Sequence, residues 1–376
     1  EALSCTTSGY LFGSNQPLAV YPSRLESKDL TWEKTAMYNA AVDFAVLKNR
    51  LEFSLEAYYS KTTDLLLSVQ LPTQTGFSSR YTNIGATENK GVEFSITSHN
   101  FKRKNFSWNT TLTIAHNQQK VLDTGSSDFI AAYSTPTNNS YMMYGYVNGY
   151  PLNALWGFKF AGVWHTQDQI DRNKETKAYV SRASNTYKPG YAYYVDTNHD
   201  GTLNEDDLVY LGSADPIIYG GLQNTFHIYK FRVSVFFNYS LGGKIYNLSE
   251  LWMSGSSYTN QYRYMLDAWH PVRNPESNIP AAYYNDELPS SRMVYDASYI
   301  RLKNISLGYT FDLRKMTKHL RDITVSASGE NLFLWKNYNG YDPDVSTNSS
   351  GSTIRRMDNG AYPKARTFMF SVQIRY

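Results

Sequence analysis

The sequence ends in FMFSVQIRY (368–376), where apolar and polar residues alternate. One face of this stretch carries Phe368, Phe370, Val372, Ile374 and Tyr376. The opposite face carries Ser371, Gln373 and Arg375. A period of two residues is typical of a β-strand with one apolar side. The stretch therefore predicts a strand at the end of the chain.

The same alternation recurs along the chain. It predicts strands over residues 38–44, 51–59, 92–97, 106–114, 222–228, 231–239, 299–311, 323–329 and 368–376. Between Leu302 and Ile305 the alternation slips by one residue, which predicts a β-bulge. No long segment shows the 3.6-residue period of an amphipathic helix. The predicted fold class is therefore all-β.

Composition limits the classes of function. Of 376 residues, 41% are hydrophobic, 18% are charged and 15% are aromatic, and the net charge is +3. So many aromatic residues exclude a disordered chain, and so balanced a charge argues against nucleic-acid binding as the main role. The single cysteine, Cys5, excludes an internal disulfide and a cysteine-built zinc site. A start at Glu1, inside a Gly- and Ser-rich stretch, predicts that the chain begins partway through a longer protein.

The lengths of the connections distinguish two all-β architectures. Short connections are expected at 47–50, 100–105, 229–230 and 312–322. Long connections are expected at 66–86, 118–216, 240–297 and 335–366. A soluble sandwich has turns at fairly even spacing, whereas a transmembrane barrel has short turns on one side and long loops on the other. The pattern predicts a transmembrane antiparallel β-barrel, of which this chain supplies nine or ten of about 22 strands.

Within this barrel the chain divides into two parts. Residues 1–31 form an entry segment, which adds the tenth strand if it pairs with the others, and residues 32–376 form the C-terminal part of the barrel. The short connections all fall on the periplasmic side of the barrel only if residues 118–216 make no net crossing of the membrane. This segment, with its apolar stretch 155–164, is therefore expected to be an extracellular elaboration. Residues expected to face the lumen and a plug domain are Glu52, Glu56, Glu93, Asn109, Thr111, Gln223, Arg232, Gln373 and Arg375.

Residues 196–207 match the pattern of a twelve-residue calcium loop. The predicted ligands are Asp196, Asn198, Asp200, the Thr202 carbonyl, Asn204 and Asp207, with Gly201 at the turn. Calcium takes six to eight oxygen ligands, which these residues supply, although position 12 is an aspartate in place of the usual glutamate. A structural calcium ion is therefore predicted, and an Asx-rich turn without an ion is the alternative.

Two further sets of residues are candidates for function. Aromatic residues in the long loops are expected to contact substrate or a lid, or else to pack the loops together or lie in the interfacial girdle: Tyr141, Tyr144, Trp156, Trp164, Trp252, Tyr258, Tyr262, Trp269, Tyr283 and Tyr284. The terminal strand, with its final aromatic Tyr376, resembles the signal used by barrel-insertion machinery. An ordinary half-buried strand is the alternative for this second set.

Nothing in the sequence supports catalysis. The seven histidines form no HExxH motif, and Gly242-Gly243-Lys244 is followed by Ile245, which excludes a phosphate-binding loop. Asp342-Pro-Asp344 is interpreted as a polar turn rather than a catalytic carboxylate pair. The chain is therefore predicted not to be an enzyme.

Seven segments carry a resemblance to a known family. They are DLTWEKT (29–35), KTTDLLL (61–67), NIGATENKGVEF (83–94), DTNHDGTLNEDD (196–207), YIRLKNISLGY (299–309), ENLFLWKNYNGYDPD (330–344) and YPKARTFMFSVQIRY (362–376). In this order and at this spacing, the chain resembles the C-terminal half of the SusC/RagA-type TonB-dependent transporters of Bacteroidetes outer membranes.

The resemblance implies import of glycan oligomers, or in some members peptides, together with a SusD-like surface lipoprotein that closes over the barrel as a lid. It also implies a place in outer-membrane lipid, with the loops extracellular and the C-terminus periplasmic. Energy would come from TonB acting on a plug domain. The chain shows neither a plug nor a TonB box, so an upstream plug and N-terminal barrel segment are expected to supply them.

Two rival interpretations stay open at this point. A secreted, calcium-stapled β-sandwich adhesin or carbohydrate-binding protein would explain the aromatics, the aspartate loop and the strands. It would not explain the unequal connections. A siderophore or cofactor importer is the rival within the same class.

Overall fold

The structure is a computed structural model of the chain. It describes residues 3–7, 18–22, 25–77, 79–125, 129–134, 141–181, 187–254, 260–282, 288–314, 319–347 and 354–376. Tyr258, Tyr283 and Tyr284, which the sequence analysis names as contact candidates, lie outside the described residues.

The described residues form strands and a few short helices. The strands are β1 (Leu3–Thr7), β2 (Leu18–Pro22), β3 (Lys34–Val46), β4 (Leu51–Thr63), β5 (Leu66–Gln70), β6 (Ser79–Asn83), β7 (Ala86–Arg103), β8 (Phe106–Asp123), β9 (Phe129–Ser134), β10 (Met142–Val147), β11 (Ala154–Gly157), β12 (Phe160–Val163), β13 (Tyr179–Val180), β14 (Ala192–Val195), β15 (Val209–Ser213), β16 (Ile218–Ile228), β17 (Phe231–Leu241), β18 (Lys244–Asn247), β19 (Val294–Asp296), β20 (Tyr299–Asp312), β21 (Asp322–Lys336), β22 (Met357–Asp358) and β23 (Thr367–Arg375). The α-helices are α1 (Gln167–Thr176) and α2 (Ser249–Met253). The 3-10 turns are Thr73–Thr75, Glu205–Asp207, Arg263–Asp267 and Ser291–Met293.

The largest sheet, called the main sheet below, has nine strands among the described residues, in the order β23-β21-β20-β17-β16-β8-β7-β4-β3. Each strand pairs antiparallel with the next strand of the sheet along the chain. All nine strands predicted from alternation are present, and the predicted all-β class is confirmed. The entry-segment strands β1 and β2 pair with each other in a separate two-stranded sheet.

The connections of the main sheet alternate in length, as predicted. Short turns follow β3, β7, β16 and β20 and lie along one edge, the turn edge. Long connections follow β4, β8, β17 and β21 and lie along the opposite edge, the loop edge. The segment between β8 and β16 adds no strand to the main sheet in its described part, because β9 to β15 pair in two smaller sheets.

Cross-strand register gives the main sheet two unlike faces. On the apolar face, Leu55 lies opposite Phe94 and Phe94 opposite Ile114. Val235 lies there between Asn224 and Ile305. On β23 this face is open, and Phe370 is 81% exposed. A soluble sandwich would cover such a face with a second sheet, whereas a membrane barrel presents it to lipid.

The other face of the main sheet, the polar face, carries short polar and charged residues. Glu56 lies opposite Glu93, Thr111 opposite Gln223, and Ser326 opposite Ser371. All nine residues predicted to face the lumen share the register of this face: Glu52, Glu56, Glu93, Asn109, Thr111, Gln223, Arg232, Gln373 and Arg375. The polar face is therefore the wall of a wet interior.

The predicted bulge lies where the sequence places it. The pairing of β17 with β20 shifts between Phe236 and Phe237, and that of β20 with β21 shifts between Leu302 and Asn304. The extra residue restores the apolar register, so that Ile305 and Leu307 return to the face of Leu302.

The long connections fold into a loop region with its own hydrophobic cores. One core surrounds Phe158, Tyr194 and Trp269, and a second surrounds Leu155 and Tyr246. The fully buried large side chains of the described residues lie in this region and not on the strands of the main sheet. No helix in the described ranges is long and apolar enough to cross a membrane.

Helix α1 is not anticipated by the sequence analysis, because local contacts rather than a long apolar stripe define it. Thr166 caps its first turn by accepting a hydrogen bond from the Gln169 backbone N–H, and Lys177 ends it in the left-handed conformation. Ile170 and Asn173 are its buried residues, and the Asn173 side chain exchanges two hydrogen bonds with the Tyr179 backbone. One buried apolar residue gives no detectable helical period.

Candidate functional site

A cavity of about 500 Å³ lies where the polar face of the main sheet meets the loop region. Strand residues on its lining are Tyr219, Gly220, Asn238, Tyr239, Ser240 and Tyr299. Loop residues on its lining are Asn117, Ala214, Asp215, Pro216, Asp344, Val345, Ser346, Arg355 and Arg356. A cavity of this size accommodates a small polar ligand or one segment of a longer one.

Register explains how three strands contribute to one wall. Tyr219 pairs with Ser240, and Ser240 pairs with Tyr299, so the three residues form a row across β16, β17 and β20. The row lies on the polar face near the loop edge. Tyr219 is 37% exposed, so part of its surface is available to a ligand.

Arg356 joins the loop side of the cavity to this row. Its guanidinium donates to the Ser240 hydroxyl at 2.6 Å and to the Gly242 carbonyl at 3.0 Å. Burial lowers the pKa of the Arg356 guanidinium, but an arginine stays charged at any physiological pH. The cavity therefore has a fixed cation on its wall.

Asp215 and Arg355 bring both signs of charge to the cavity. The Asp215 carboxylate accepts from Asn153 Nδ2 at 2.9 and 3.1 Å, which fixes its position. Arg355 lies 3.8 Å from the same carboxylate and is about two-thirds exposed. This pair is loose enough for a ligand to compete for either partner.

Beside the cavity, the turn at 342–344 is anchored by a buried ion pair. Arg301 Nη2 lies 2.7 Å from Asp342 Oδ1, and both side chains are almost fully buried. Asp344, which lines the cavity, forms an ion pair with Lys364. The sequence predicts only a polar turn here; in the structure, the turn ties the loop that follows β21 to β20.

The predicted contact aromatics fall into two groups. Five of them pack inside the loop region with at most 9% of their surface exposed: Tyr141, Tyr144, Trp156, Trp164 and Trp269. Phe158 meets Tyr141 edge to face at 4.9 Å, which is typical of core packing. Trp252 is 38% exposed, and Tyr262 lines a shallow groove. Among the described candidates, Trp252 and Tyr262 therefore offer the most surface to a ligand or lid, and Trp269 reaches the same groove as Tyr262 with its small exposed part.

A buried acid lies in the loop after β17. The Glu250 carboxylate accepts from the Tyr295 hydroxyl at 2.6 Å and from Asn247 Nδ2 at 3.4 Å. Its second oxygen, Oε2, is buried without a hydrogen-bond partner. Burial raises the pKa of the Glu250 carboxyl. This group is therefore a source of pH dependence in the loop region.

The predicted calcium loop connects β14 to β15. Asp196 and Asp207 are fully buried at its two ends. Asp207 accepts from the backbone N–H groups of Thr197 and Asn204 at 2.7 and 3.1 Å. The Thr202 N–H lies 2.6 Å from the Asp200 carboxylate and lowers its pKa. Across the described ranges, no group of three or more His, Cys, Asp or Glu side chains is placed to hold a metal ion.

The polar face of the main sheet carries pairs of hydroxyl groups across neighbouring strands. Such pairs join Thr35 to Thr62, Thr97 to Thr111, Thr310 to Thr324 and Ser326 to Ser371, at 2.8 to 3.1 Å. Each hydroxyl can donate or accept. Much of this wall is therefore neutral and built of short side chains.

The terminal strand β23 is an edge strand of the main sheet. Its apolar residues continue the apolar face, since Phe370 lies opposite Ala327, Val372 opposite Val325 and Ile374 opposite Ile323. Phe368 lies opposite Gly329 on the same face, and Tyr376 follows the strand. The geometry is that of a lipid-facing strand, and the insertion signal stays a prediction.

Comparison with known proteins identifies the family. The pattern described as "TonB dependent receptor-like, beta-barrel" matches residues 6–204, more than half of the chain. The chain belongs to this family of outer-membrane β-barrels. Because these proteins are receptors and transporters, membership confirms the prediction that the chain is not an enzyme.

Individual relatives agree with this assignment. TonB-dependent receptor P26 of Formosa agariphila is 33% identical over 94% of this chain, and TonB-dependent receptor SusC of Bacteroides thetaiotaomicron is 28% identical over 93%. A solved chain of the RagAB peptide transporter has the same fold, with 21% identity and a TM-score of 0.76 over 99% of this chain. The chain spans 36% of the length of the first relative, 32% of the second and 38% of the RagAB chain. The predicted resemblance to SusC/RagA-type receptors is confirmed.

Sequence reasoning missed the cavity, because its lining comes from segments far apart in the chain. Tyr219, Tyr299 and Arg356 carry no shared motif. The alternation of each strand gives one weak signal for this site. It places Tyr219 and Tyr299 on the same face as the polar residues, near the ends of their strands.

Proposed function

We propose that this chain forms part of the β-barrel of an importer that takes glycan oligomers, with peptides as the alternative cargo, across the outer membrane. TonB supplies the energy through a plug domain outside this chain, and a SusD-like lipoprotein closes the loop edge. The observation that carries the proposal is that the nine strands of the main sheet share one predominantly apolar face and one predominantly polar face. A lipid-facing exterior and a wet interior are what a transport conduit requires.

The orientation follows from the two edges. Short turns of outer-membrane barrels lie in the periplasm and long loops outside the cell. Arg375, at the end of β23, pairs with Asp322 beside the short turn after β20. We therefore place the C-terminus in the periplasm, and the loop region, with the cavity, at the extracellular surface.

The cavity is the proposed cargo subsite. Tyr219 offers an aromatic face, on which a sugar ring can stack, and Asn238 and Ser240 offer polar groups beside it. The charges of Asp215 and Arg355 favour the alternative, because the ends of a short peptide carry both signs. Both cargo classes therefore belong in the same experiment.

Tyr219→Ala tests the subsite, with Tyr229→Ala as its matched control. Tyr229 is highly exposed in the short turn after β16, at the opposite edge of the same strand. Uptake of labelled oligosaccharides and of labelled peptides would be measured in cells that express the full-length receptor and its lid. Loss of an aromatic contact is worth about 0.5–1.5 kcal/mol, so Tyr219→Ala should weaken cargo affinity by about 2- to 10-fold.

The outcome separates the two cargo classes. A loss for oligosaccharides alone supports glycan import, and a loss for peptides alone supports the alternative. Equal uptake by Tyr219→Ala and the unchanged receptor, at equal surface abundance, would contradict a cargo role for the cavity. Uptake that continues without TonB would contradict the proposed energy source.

The polar face supports contact with a basic plug. Glu56 and Glu93 lie directly opposite each other on β4 and β7, where like charges repel. Asn39 Nδ2 donates to Glu56 at 2.6 Å, but an amide does not neutralise the charge. A Lys or Arg side chain of the plug, placed between the two carboxylates, would turn this repulsion into attraction.

Exposed apolar residues in the loop after β17 support contact with a lid. Leu266 and Val272 are 76% and 83% exposed beside a shallow groove that includes Tyr262 and Trp269. Leu266→Asp should reduce co-purification of the lipoprotein with the receptor. The control is Lys174→Asp, which also introduces an aspartate but does so on the exposed helix α1. Val42→Asp is unsuitable as a control, because Val42 lies on the apolar face of the main sheet.

A further inference from the structure

We propose that the loop from Asp196 to Asp207 binds one calcium ion and that the ion fixes the connection between β14 and β15. The observation that sets this loop apart from an ordinary acidic turn is the state of Asp196. The residue has no exposed surface, and its Oδ2 accepts from the Gly201 N–H at 2.8 Å across the loop. Its Oδ1 is buried and has no hydrogen-bond partner.

A buried carboxylate oxygen without a partner is strongly unfavourable. Among the described residues, no Lys, Arg or His forms an ion pair with Asp196. The hydrogen bond from Gly201 holds the carboxylate inside the loop, so the free oxygen belongs to the same enclosed space. A cation from solution is the group that satisfies it.

The side chains at the middle of the loop meet at one point. Asn198 Nδ2 and Asn204 Nδ2 lie 3.0 and 3.1 Å from Asp200 Oδ2. The amide oxygens accept from backbone N–H groups, Asn198 Oδ1 from Asp200 at 3.1 Å and Asn204 Oδ1 from Asp206 at 2.7 Å, so turning each oxygen towards an ion would exchange these hydrogen bonds for bonds to the ion. Three side chains at positions 3, 5 and 9 can therefore direct oxygens at a shared ligand, as calcium loops do.

The available donors decide which cation fits. The three aspartates do not gather by themselves into a metal site, so the ligand set is mixed: carboxylates, the two amides and the Thr202 carbonyl. A set made only of oxygens, with more than four donors, suits calcium better than transition metals, which favour imidazole or thiolate. Asp207 completes the loop from its far end, and each of its oxygens keeps a second lone pair beyond its backbone hydrogen bond.

Calcium here would stabilise more than the loop itself. Leu203, between Thr202 and Asn204, is buried in the core that contains Tyr194 and Trp269. The strands that flank the loop belong to two different small sheets of the loop region. An ion bound in the loop would keep Leu203 in the core and would fix the positions of the two sheets relative to each other.

The test is calcium binding by the purified full-length receptor in detergent. Calorimetry with calcium chloride should give saturable binding, with a Kd of about 10⁻⁴ to 10⁻³ M, as for extracellular calcium modules. Asp196→Asn keeps an acceptor for Gly201 but removes the charge, and should weaken binding at least tenfold; Asp200→Asn should do the same. Asp171→Asn, an exposed acid on α1, is the matched control and should leave binding unchanged.

A second readout does not depend on the heat of binding. Calcium should protect the loop 196–207 from proteolysis in the unchanged receptor and in Asp171→Asn, but not in Asp196→Asn. Magnesium at the same concentration should not protect it, because magnesium requires a smaller octahedral site. Absence of saturable binding, equal binding by Asp196→Asn, or equal protection by magnesium would each overturn the proposal. None of these results depends on transport.

Discussion

The main sheet and the loop region use similar residues in opposite ways. Phe370 on β23 is 81% exposed, whereas Phe158, beside β11 in the loop region, has no exposed surface. In the loop region, apolar side chains exclude water by packing against each other in closed clusters. In the main sheet they form one open face and leave the other face polar.

The difference shows which solvent each region is built for. The loop region is an aqueous fold, because its stability comes from a dry core. The main sheet has no such core among the described residues, so its apolar face requires hydrocarbon around it. One chain thus contains two folds, and substitutions should affect them by different rules.

The largest effect is expected in the loop core. Leu155 is fully buried among Met143, Tyr246 and Leu251, so Leu155→Ala leaves a cavity and should lower the free energy of unfolding of the loop region by about 2–5 kcal/mol. Leu266→Ala, at a largely exposed site of the same region, should change it by less than about 0.5 kcal/mol. Urea titration followed by tryptophan fluorescence measures both. Similar losses for the two variants would mean that Leu155 is not in a closed core.

In the main sheet, the face of the substitution should decide its effect. Val235→Arg places a charge on the apolar face and should cost about 2–4 kcal/mol in lipid. Ser234→Arg places the same charge one residue away on the polar face and should be tolerated. Equilibrium folding into lipid vesicles compares them directly. Equal loss in both variants would show that the polar face does not line a wet interior.

The loop region should also respond to pH through Glu250. Burial raises the pKa of this carboxyl above its usual 4.5, so the folded state binds its proton more tightly than the unfolded state does. The stability that this group contributes is present below pH 4.5 and is lost as the pH rises through the raised pKa. The melting temperature of the loop region should therefore fall as the pH rises, and Glu250→Gln should make this fall smaller. Glu276→Gln, at an exposed position, should keep the decline of the unchanged protein.

The smallest effect is expected on the polar face. In the isolated chain, Glu93→Gln removes a like charge opposite Glu56 and should raise stability by about 0.2–1 kcal/mol. Glu88→Gln, on the same strand but on its opposite face, removes an opposite charge facing Lys61 and should lower stability by a similar amount. Unfolding in lipid vesicles measures both signs. A loss of stability in Glu93→Gln would contradict repulsion between the two carboxylates.

The sequence was most informative where structure is local. Alternation located all nine strands of the main sheet, because the two faces of each strand meet different solvents. It underestimated their length: β7 extends to Ala86, since Thr87, Glu88 and Asn89 are polar on both sides of the strand and show no period. The bulge after Leu302 was visible for the same local reason.

Features that depend on distant segments were not predictable in this way. The cavity combines Tyr219 and Tyr299 with Arg356, and no spacing rule links them. The loop aromatics were candidates for ligand contact, yet Trp156 and Trp269 are buried because a connection of this length folds around its own core. Similarly, the Arg301–Asp342 ion pair joins residues that are 41 positions apart.

The paired hydroxyls across the polar face have a consequence for anything that moves along it. Thr97 and Thr111, for example, satisfy each other when nothing else is present. Each hydroxyl can rotate to form a hydrogen bond with a molecule beside it and can then return to its neighbour. The hydroxyl therefore keeps a hydrogen-bond partner at each step of the movement. Such a surface would bind a cargo or a displaced domain only weakly at any one position, and would therefore not hinder its movement along the polar face.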